Sequence, residues 1–179
     1  MKIKQQIVDE TGFDRTLSRL AHEIIERNLG TKNLAIIGLR TRGEFLARRI
    51  KEKMQEIEHT SIPFGVLDVT LYRDDLRQHL RQPEVHTTEI SFDIYEKDVI
   101  LVDDVLFTGR TIRSALDALM DLGRAKTIQL AVFVDRGHRE LPIRADFTGK
   151  NITTSMGEEV CVRMREVDGE DGIQLVEME

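Results

Sequence analysis

The chain alternates short, dense apolar runs with longer stretches in which apolar residues recur every three or four positions. Leu34–Leu39, Phe64–Val69, Val99–Val102 and Thr127–Val134 are runs of the first kind. Rich in β-branched residues and bounded by polar turns, they predict buried strands of a parallel sheet. Phe13, Leu17, Leu20, Ala21 and Ile24 form a helical stripe and predict a helix from Asp14 to Asn28 that stops at Gly30. A second helix carries Leu46, Ile50, Met54 and Ile57. A third carries Ile112, Ala115, Leu116, Leu119 and Met120 as core packing and ends at Gly123. Strands alternating with helices in this way indicate an α/β domain, a mainly parallel sheet covered by helices. Beyond Ile143 the pattern changes. Val160, Val162 and Met164 alternate, as do Ile173 and Leu175, with Asp168-Gly169 and Asp171-Gly172 between them, which predicts a C-terminal hairpin.

In an open parallel sheet, ligands bind at the carboxyl ends of the strands. Val99–Val102 ends there in Asp103 and Asp104, followed by Val105, Leu106, Phe107, Thr108, Gly109, Arg110 and Thr111 before the third helix begins. A loop that becomes a helix N-terminus offers free backbone N–H groups and a positive dipole end, which suits phosphate. Two carboxylates would repel phosphate unless they accept from sugar hydroxyls or lie near a divalent cation. Together these groups describe a ribose 5-phosphate site. Capping of the next helix would need only one Asp.

Leu34–Leu39 ends in Arg40-Thr41-Arg42-Gly43, a turn whose guanidinium forks suit diphosphate oxygens and whose glycine permits close backbone approach. Phe64–Val69 runs into a polar connection to about Glu89 that contains Arg73, Arg77, His79, Arg81 and His86. A connection this long in a compact domain is usually functional or disordered. We expect a lid over residues 70–89, because displacement at an anomeric carbon passes through an oxocarbenium-like state that water would capture. Thr127–Val134 ends in Asp135-Arg136-Gly137-His138-Arg139-Glu140, a third polar loop at the same edge and a candidate pocket wall for a nucleobase.

Composition narrows the function classes. With 179 residues the chain can bury one core, so a single domain over 1–179 is expected. A net charge of −6 gives no globally basic surface, so duplex DNA is not an expected partner and nucleic-acid binding would need a local patch. No apolar run approaches membrane-spanning length and Met1–Gln5 lacks a signal-peptide core, so a cytoplasmic protein with no membrane partner is expected. A single cysteine, Cys161, rules out an intramolecular disulfide.

VILVDDVLFTGRT resembles the phosphoribosyl pyrophosphate (PRPP) motif of type I phosphoribosyltransferases. With RLAHEIIERN, LRTRG, DVTLYRDDL and VDRGHRELPIRADFTGKNI, nearly the whole chain resembles the PyrR family, bifunctional pyrimidine operon regulators and uracil phosphoribosyltransferases. That resemblance implies a type I phosphoribosyltransferase fold with a small hood, about residues 135–165. It also implies formation of uridine monophosphate (UMP) from uracil and PRPP with Mg2+, and a homodimer or higher homo-oligomer. Its regulatory partner is a leader mRNA hairpin of a pyrimidine operon, bound in response to UMP or UTP to promote attenuation. Asp103 and Asp104 would bind the ribose hydroxyls, directly or through magnesium. Val105 to Thr111 would belong to the PRPP site, and Thr41 and Arg42, with Arg73 from the lid, would meet the diphosphate. Arg136, Gly137, His138 and Val160 would surround the base. Ser18, Arg19, His22, Arg27, Arg139, Arg144 and Lys150 would face RNA. Where many members read KNIPTS, this chain has Thr153 in place of the proline. An enzyme that leaves the helix face idle, and an RNA regulator that keeps the nucleotide site only as a sensor, are the rival readings.

Overall fold

Parallel pairing of the apolar runs organises the molecule. The computed structural model describes residues 2–70, 87–155 and 157–177. In chain order the elements are β1 (Lys2–Val8), α1 (Glu10–Arg27), β2 (Leu34–Leu39), α2 (Arg42–Glu58), β3 (Phe64–Leu67), β4 (Asp98–Leu106), α3 (Arg110–Leu122), β5 (Thr127–Asp135), β6 (Phe147–Asn151), β7 (Glu158–Arg163), α4 (Arg165–Asp168) and β8 (Gly172–Glu177). A five-stranded parallel sheet has the order β3-β2-β4-β5-β6. Its two faces carry separate cores. Phe13, Leu17, Leu20 and Ile24 of α1 and Leu46, Ile50 and Met54 of α2 pack with Ile36, Val102 and Phe133. Ile112, Ala115 and Leu119 of α3 pack with Ile37, Leu101 and Val132 on the other face. Sequential strands run outward in opposite directions from the β2–β4 pair, so the loops after β2 and β4 flank a switch point, where this architecture opens a crevice.

The expected hairpin is present: β7 and β8 pair antiparallel, with Val160 opposite Leu175 and Val162 opposite Ile173. β1 adds a third strand alongside β8. The small sheet is fastened to α2 by Arg49, whose Nε and Nη2 reach Glu166 at 2.9 and 2.6 Å and whose Nη1 reaches Asp171 at 2.8 Å. Burial alone would push the Asp171 carboxyl up, but the Arg49 bonds and the Arg165 N–H outweigh it and hold it below the usual aspartate range. A carboxylate whose pKa is lowered on folding contributes stability that is complete above its unfolded value and is lost as pH falls through the folded one. Thermal melts between about pH 7 and about pH 3 should therefore show Asp171→Asn less stable than wild type at neutrality and losing less on acidification. Equal acid losses in the two proteins would show that the clasp does not carry this dependence.

Several boundaries differ from expectation. α1 begins at Glu10 rather than Asp14 because Asp9 caps it, its Oδ1 accepting from the Gly12 N–H at 2.8 Å. β3 is four residues long and ends at Leu67 rather than Val69. β4 runs past the acidic pair to Leu106 because Asp103, Val105 and Leu106 stay in register with Val132, Val134 and Asp135 of β5. Met120 is 68% exposed and Ile57 38%, so neither belongs to the core stripe. Met120 lies a further 100° around the helix from Leu119, and that step carries it off the packed face.

Candidate nucleotide site and basic face

β4 delivers the acidic pair and the phosphate turn to the same edge. Asp103 is buried and its Oδ1 accepts the Asp104 N–H at 2.9 Å, while Asp104 is half-exposed. Consecutive strand residues send their side chains to opposite faces, so the two carboxylates stand apart across the strand. Phe107, Thr108 and Gly109 form the turn. Gly109, at φ +94°, takes the left-handed conformation that a side chain would strain, with Leu141 and Ile143 closing over it. The Arg110 N–H is met by Thr108 Oγ1 at 3.3 Å, and the rest of the first helical turn points its amides outward from the helix end. Asp103, Val105 to Ile112 and Glu140 line one cavity of about 400 Å3. Every residue expected at the phosphate turn is in that lining. Asp104 is not.

The turn after β2 comes within reach through Gly43. A Cβ there would lie 2.6 Å from Val102 O and 3.2 Å from Asp103 Cα, so only glycine lets this turn sit against the acidic strand. Thr41 is exposed at the N-cap of α2. Arg42 turns toward the small sheet, where Nη2 meets Asp168 Oδ1 at 2.9 Å. Burial of Asp168 opposes ionisation, but the Met164 N–H and Arg42 together hold its pKa down. Arg40 turns the other way, donating to Thr87 O and Glu89 Oε1, both at 3.0 Å. Glu89 is bridged antiparallel to Val66, so the end of the expected lid is seated on β3. Arg73 lies outside the described residues.

At the third loop, Arg136 is buried with its guanidinium 4.1 Å from the Phe107 ring centre and Nη2 on Glu158 O at 2.7 Å. Its Nε is buried without a hydrogen-bond partner among the described residues. His138 Nε2 lies 2.8 Å from Thr154 O and its ring meets Phe107 edge-on. Gly137 is exposed beside them. Val160 sits in the core at 7% exposure. Arg139, expected to face RNA, directs its fork at backbone carbonyls inside the loop and at Asp135. Asp135, Glu140 and Asp168 were not singled out in the sequence. The last reads as a turn residue, and its contact with Arg42 comes from another element.

Ser18, Arg19, His22 and Arg27 follow the outward side of α1, which packs along β6. Arg19 Nη2 reaches Thr148 O and Gly149 O, which places it beside Lys150. Arg27 pairs with Asp146 at 2.9 Å and so sits near the exposed Arg144. A groove of about 600 Å3 lined by Arg15, Arg19 and Lys150 opens on this side.

Among the described residues no three His, Cys, Asp or Glu side chains gather closely enough to cage a metal. An acidic pair with an open side nevertheless fits magnesium, which binds through one or two carboxylates and takes its remaining ligands from water and substrate phosphates. No helix among the described residues is long and apolar enough to cross a membrane.

Residues 4–163 match the phosphoribosyl transferase domain family. The bifunctional protein PyrR of Pelotomaculum thermopropionicum is 58% identical over 174 residues, 97% of this chain and 96% of that protein. Its namesake in Deinococcus radiodurans is 56% identical over 176 residues, 98% and 96% of the two chains. Among solved structures, the hypoxanthine phosphoribosyltransferase of Trypanosoma cruzi superposes with a TM-score of 0.74 over 99% of this chain and 98% of its own, at 14% identity, a likeness of fold. With the phosphate turn, the acidic strand and the small added sheet all in place, the chain belongs to the phosphoribosyltransferase family and, within it, to the bifunctional PyrR proteins.

Proposed function

We propose that this protein transfers the phosphoribosyl group of PRPP to N1 of uracil, forming UMP and diphosphate. We also propose that it binds the leader hairpin of pyrimidine-operon mRNA in response to uridine nucleotides and so promotes attenuation. The observation that carries the reading is the single cavity shared by Asp103 and the first turn of α3. Anion donors and a hydroxyl acceptor lie there at a spacing that suits a sugar 5-phosphate. The amides and hydroxyls of Thr108 to Thr111 hold the phosphate, and Asp103 and Asp104 accept from the ribose hydroxyls. Arg136, Gly137 and His138 place the base, with Val160 behind them. The buried, unpaired Arg136 Nε supports a polar partner there.

As the C1–diphosphate bond breaks, positive charge develops on the sugar and the N1–C1 bond forms, with the N1 proton passing to solvent. Thr41, Arg42 and Arg73 hold the departing diphosphate, and the fixed pocket removes the entropic cost of alignment. Bound magnesium supplies charge neutralisation at the diphosphate. The RNA face is formed by Ser18, Arg19, His22, Arg27, Arg139, Arg144 and Lys150, whose guanidinium and imidazole planes suit splayed loop bases. The setting is the cytoplasm and the working form a homodimer or larger homo-oligomer.

A nucleobase panel with PRPP and magnesium, combined with a gel shift against a leader hairpin with and without UMP, tests both halves. UMP formation selective for uracil and a shift that tightens with UMP are expected. Turnover without a shift removes the regulatory half, and a shift without turnover leaves only a sensor.

A further inference from the structure

The hood loop is tied to the nucleotide turn by one guanidinium. Arg139 Nε donates to Ile143 O at 2.9 Å, and Nη1 to Phe107 O at 2.8 Å, Gly137 O at 3.2 Å and Leu106 O at 3.4 Å. Nη2 is bonded to the Asp135 carboxylate. Of these acceptors Leu106 ends β4 and Phe107 begins the turn entering α3, Gly137 belongs to the base hood, and Ile143 immediately precedes Arg144 of the RNA face. Backbone bonds run alongside: the N–H groups of Glu140 and Leu141 both reach Thr108 O, at 3.0 and 3.1 Å. Arg110 Nε meets Glu140 at 2.6 Å. Three residues beyond Ile143, Asp146 holds Arg27 of α1 at 2.9 Å. A continuous set of contacts thus leads from the phosphate turn to the basic face, and Arg139 is where it is densest.

We propose that Arg139, beyond its place on the RNA face, is a positioning residue that couples nucleotide occupancy to RNA affinity. The inference rests on the function proposed above. A phosphate held by the turn fixes the carbonyls of Leu106 and Phe107. Those carbonyls fix the fork of Arg139. The fork in turn fixes the loop that presents Arg144 and anchors Arg27. A planar guanidinium with five donors can satisfy this many acceptors at once, whereas a lysine ammonium has three donors and no fork.

The test measures coupling, which must be reciprocal: the factor by which UMP tightens RNA equals the factor by which RNA tightens UMP. Hairpin affinity with and without saturating UMP, and UMP affinity with and without hairpin, are measured for wild type, Arg139→Lys and Arg139→Gln. We expect wild-type coupling of about fivefold or more, falling toward one in both variants. Should Arg139→Gln fail to fold, Asp135→Asn, which leaves the fork but removes its anionic partner, is expected to reduce coupling in the same direction. The proposal is overturned if Arg139→Lys weakens the hairpin equally with and without UMP, because that pattern marks a contact that carries no coupling. A wild type whose hairpin affinity ignores UMP overturns the nucleotide-responsive reading itself, and this proposal with it.

Discussion

Asp104→Asn should lower the rate of UMP formation by about 10²–10³-fold, the scale at which loss of one positioned electrostatic group is felt in a transition state. The side chain keeps its size and its place on β4 but loses the charge proposed to hold the ribose hydroxyls or magnesium as positive charge develops at C1. Asp104 is half-exposed, and its carboxylate has no side-chain partner among the described residues, so thermal stability should move little. Asp103→Asn should behave differently. Asp103 is 8% exposed and accepts the Asp104 N–H, so the substitution disturbs a buried bonding pattern and lowers the melting temperature together with the rate. Initial rates with uracil and PRPP, set beside melting curves, separate the two. An Asp104→Asn protein with near-wild-type turnover would remove the acidic strand from the reaction.

That contrast also shows what could be read along the chain and what could not. The apolar run Val99–Val102 located β4, and the acids and small residues after it located the turn, because both are local signals. The continuation of the strand through Asp103 to Leu106 depends on β5 lying beside it, and nothing local announces a neighbour. β2 was legible to the residue, since all six of its side chains are buried and apolar except Gly38. β1 was not read at all. Its first five residues are exposed and mixed, and the strand exists because β8 offers it an edge. β6, with Phe147 as its only large apolar residue, stands as a strand for the same reason, held by β5 and covered by α1. Among the site residues, charge type was visible and charge destination was not. Arg42, Arg139 and Arg144 look alike in the sequence. In the fold one meets Asp168, one is enclosed by carbonyls, and one is exposed. Long guanidinium side chains can reach in any direction, and the partner that decides comes from another element.

Gly43→Ala should reduce uracil transfer by about 10²-fold, although Gly43 is not expected to touch substrate. The added methyl would meet the Val102 carbonyl at 2.6 Å and Asp103 Cα at 3.2 Å, both backbone atoms that cannot swing aside. On the other side of the same helix start, Gly38 already lies so close that its own Cβ would come within 2.6 Å of Gly43 O and Glu44 Cα. α2 is therefore wedged between β2 and β4 with no slack toward the first. The strain of overpacking should cost about 1–3 kcal/mol of stability. The relief available is for Thr41 and Arg42 to move away from the acidic strand, and a displacement of about 1 Å between reacting groups is enough for a hundredfold loss. Because those residues are proposed to hold diphosphate, the defect should rise with the demand for PRPP: its KM increases more than that of uracil, while a melting curve reports a protein still folded at assay temperature. Gly38→Ala, which presses on α2 from β2 and not from the acidic strand, should cost comparable stability with a smaller change in the KM for PRPP. Should the two variants lose PRPP affinity equally, the contact between Gly43 and β4 does not set the spacing of the site, and the diphosphate turn tolerates displacement that the phosphate turn does not.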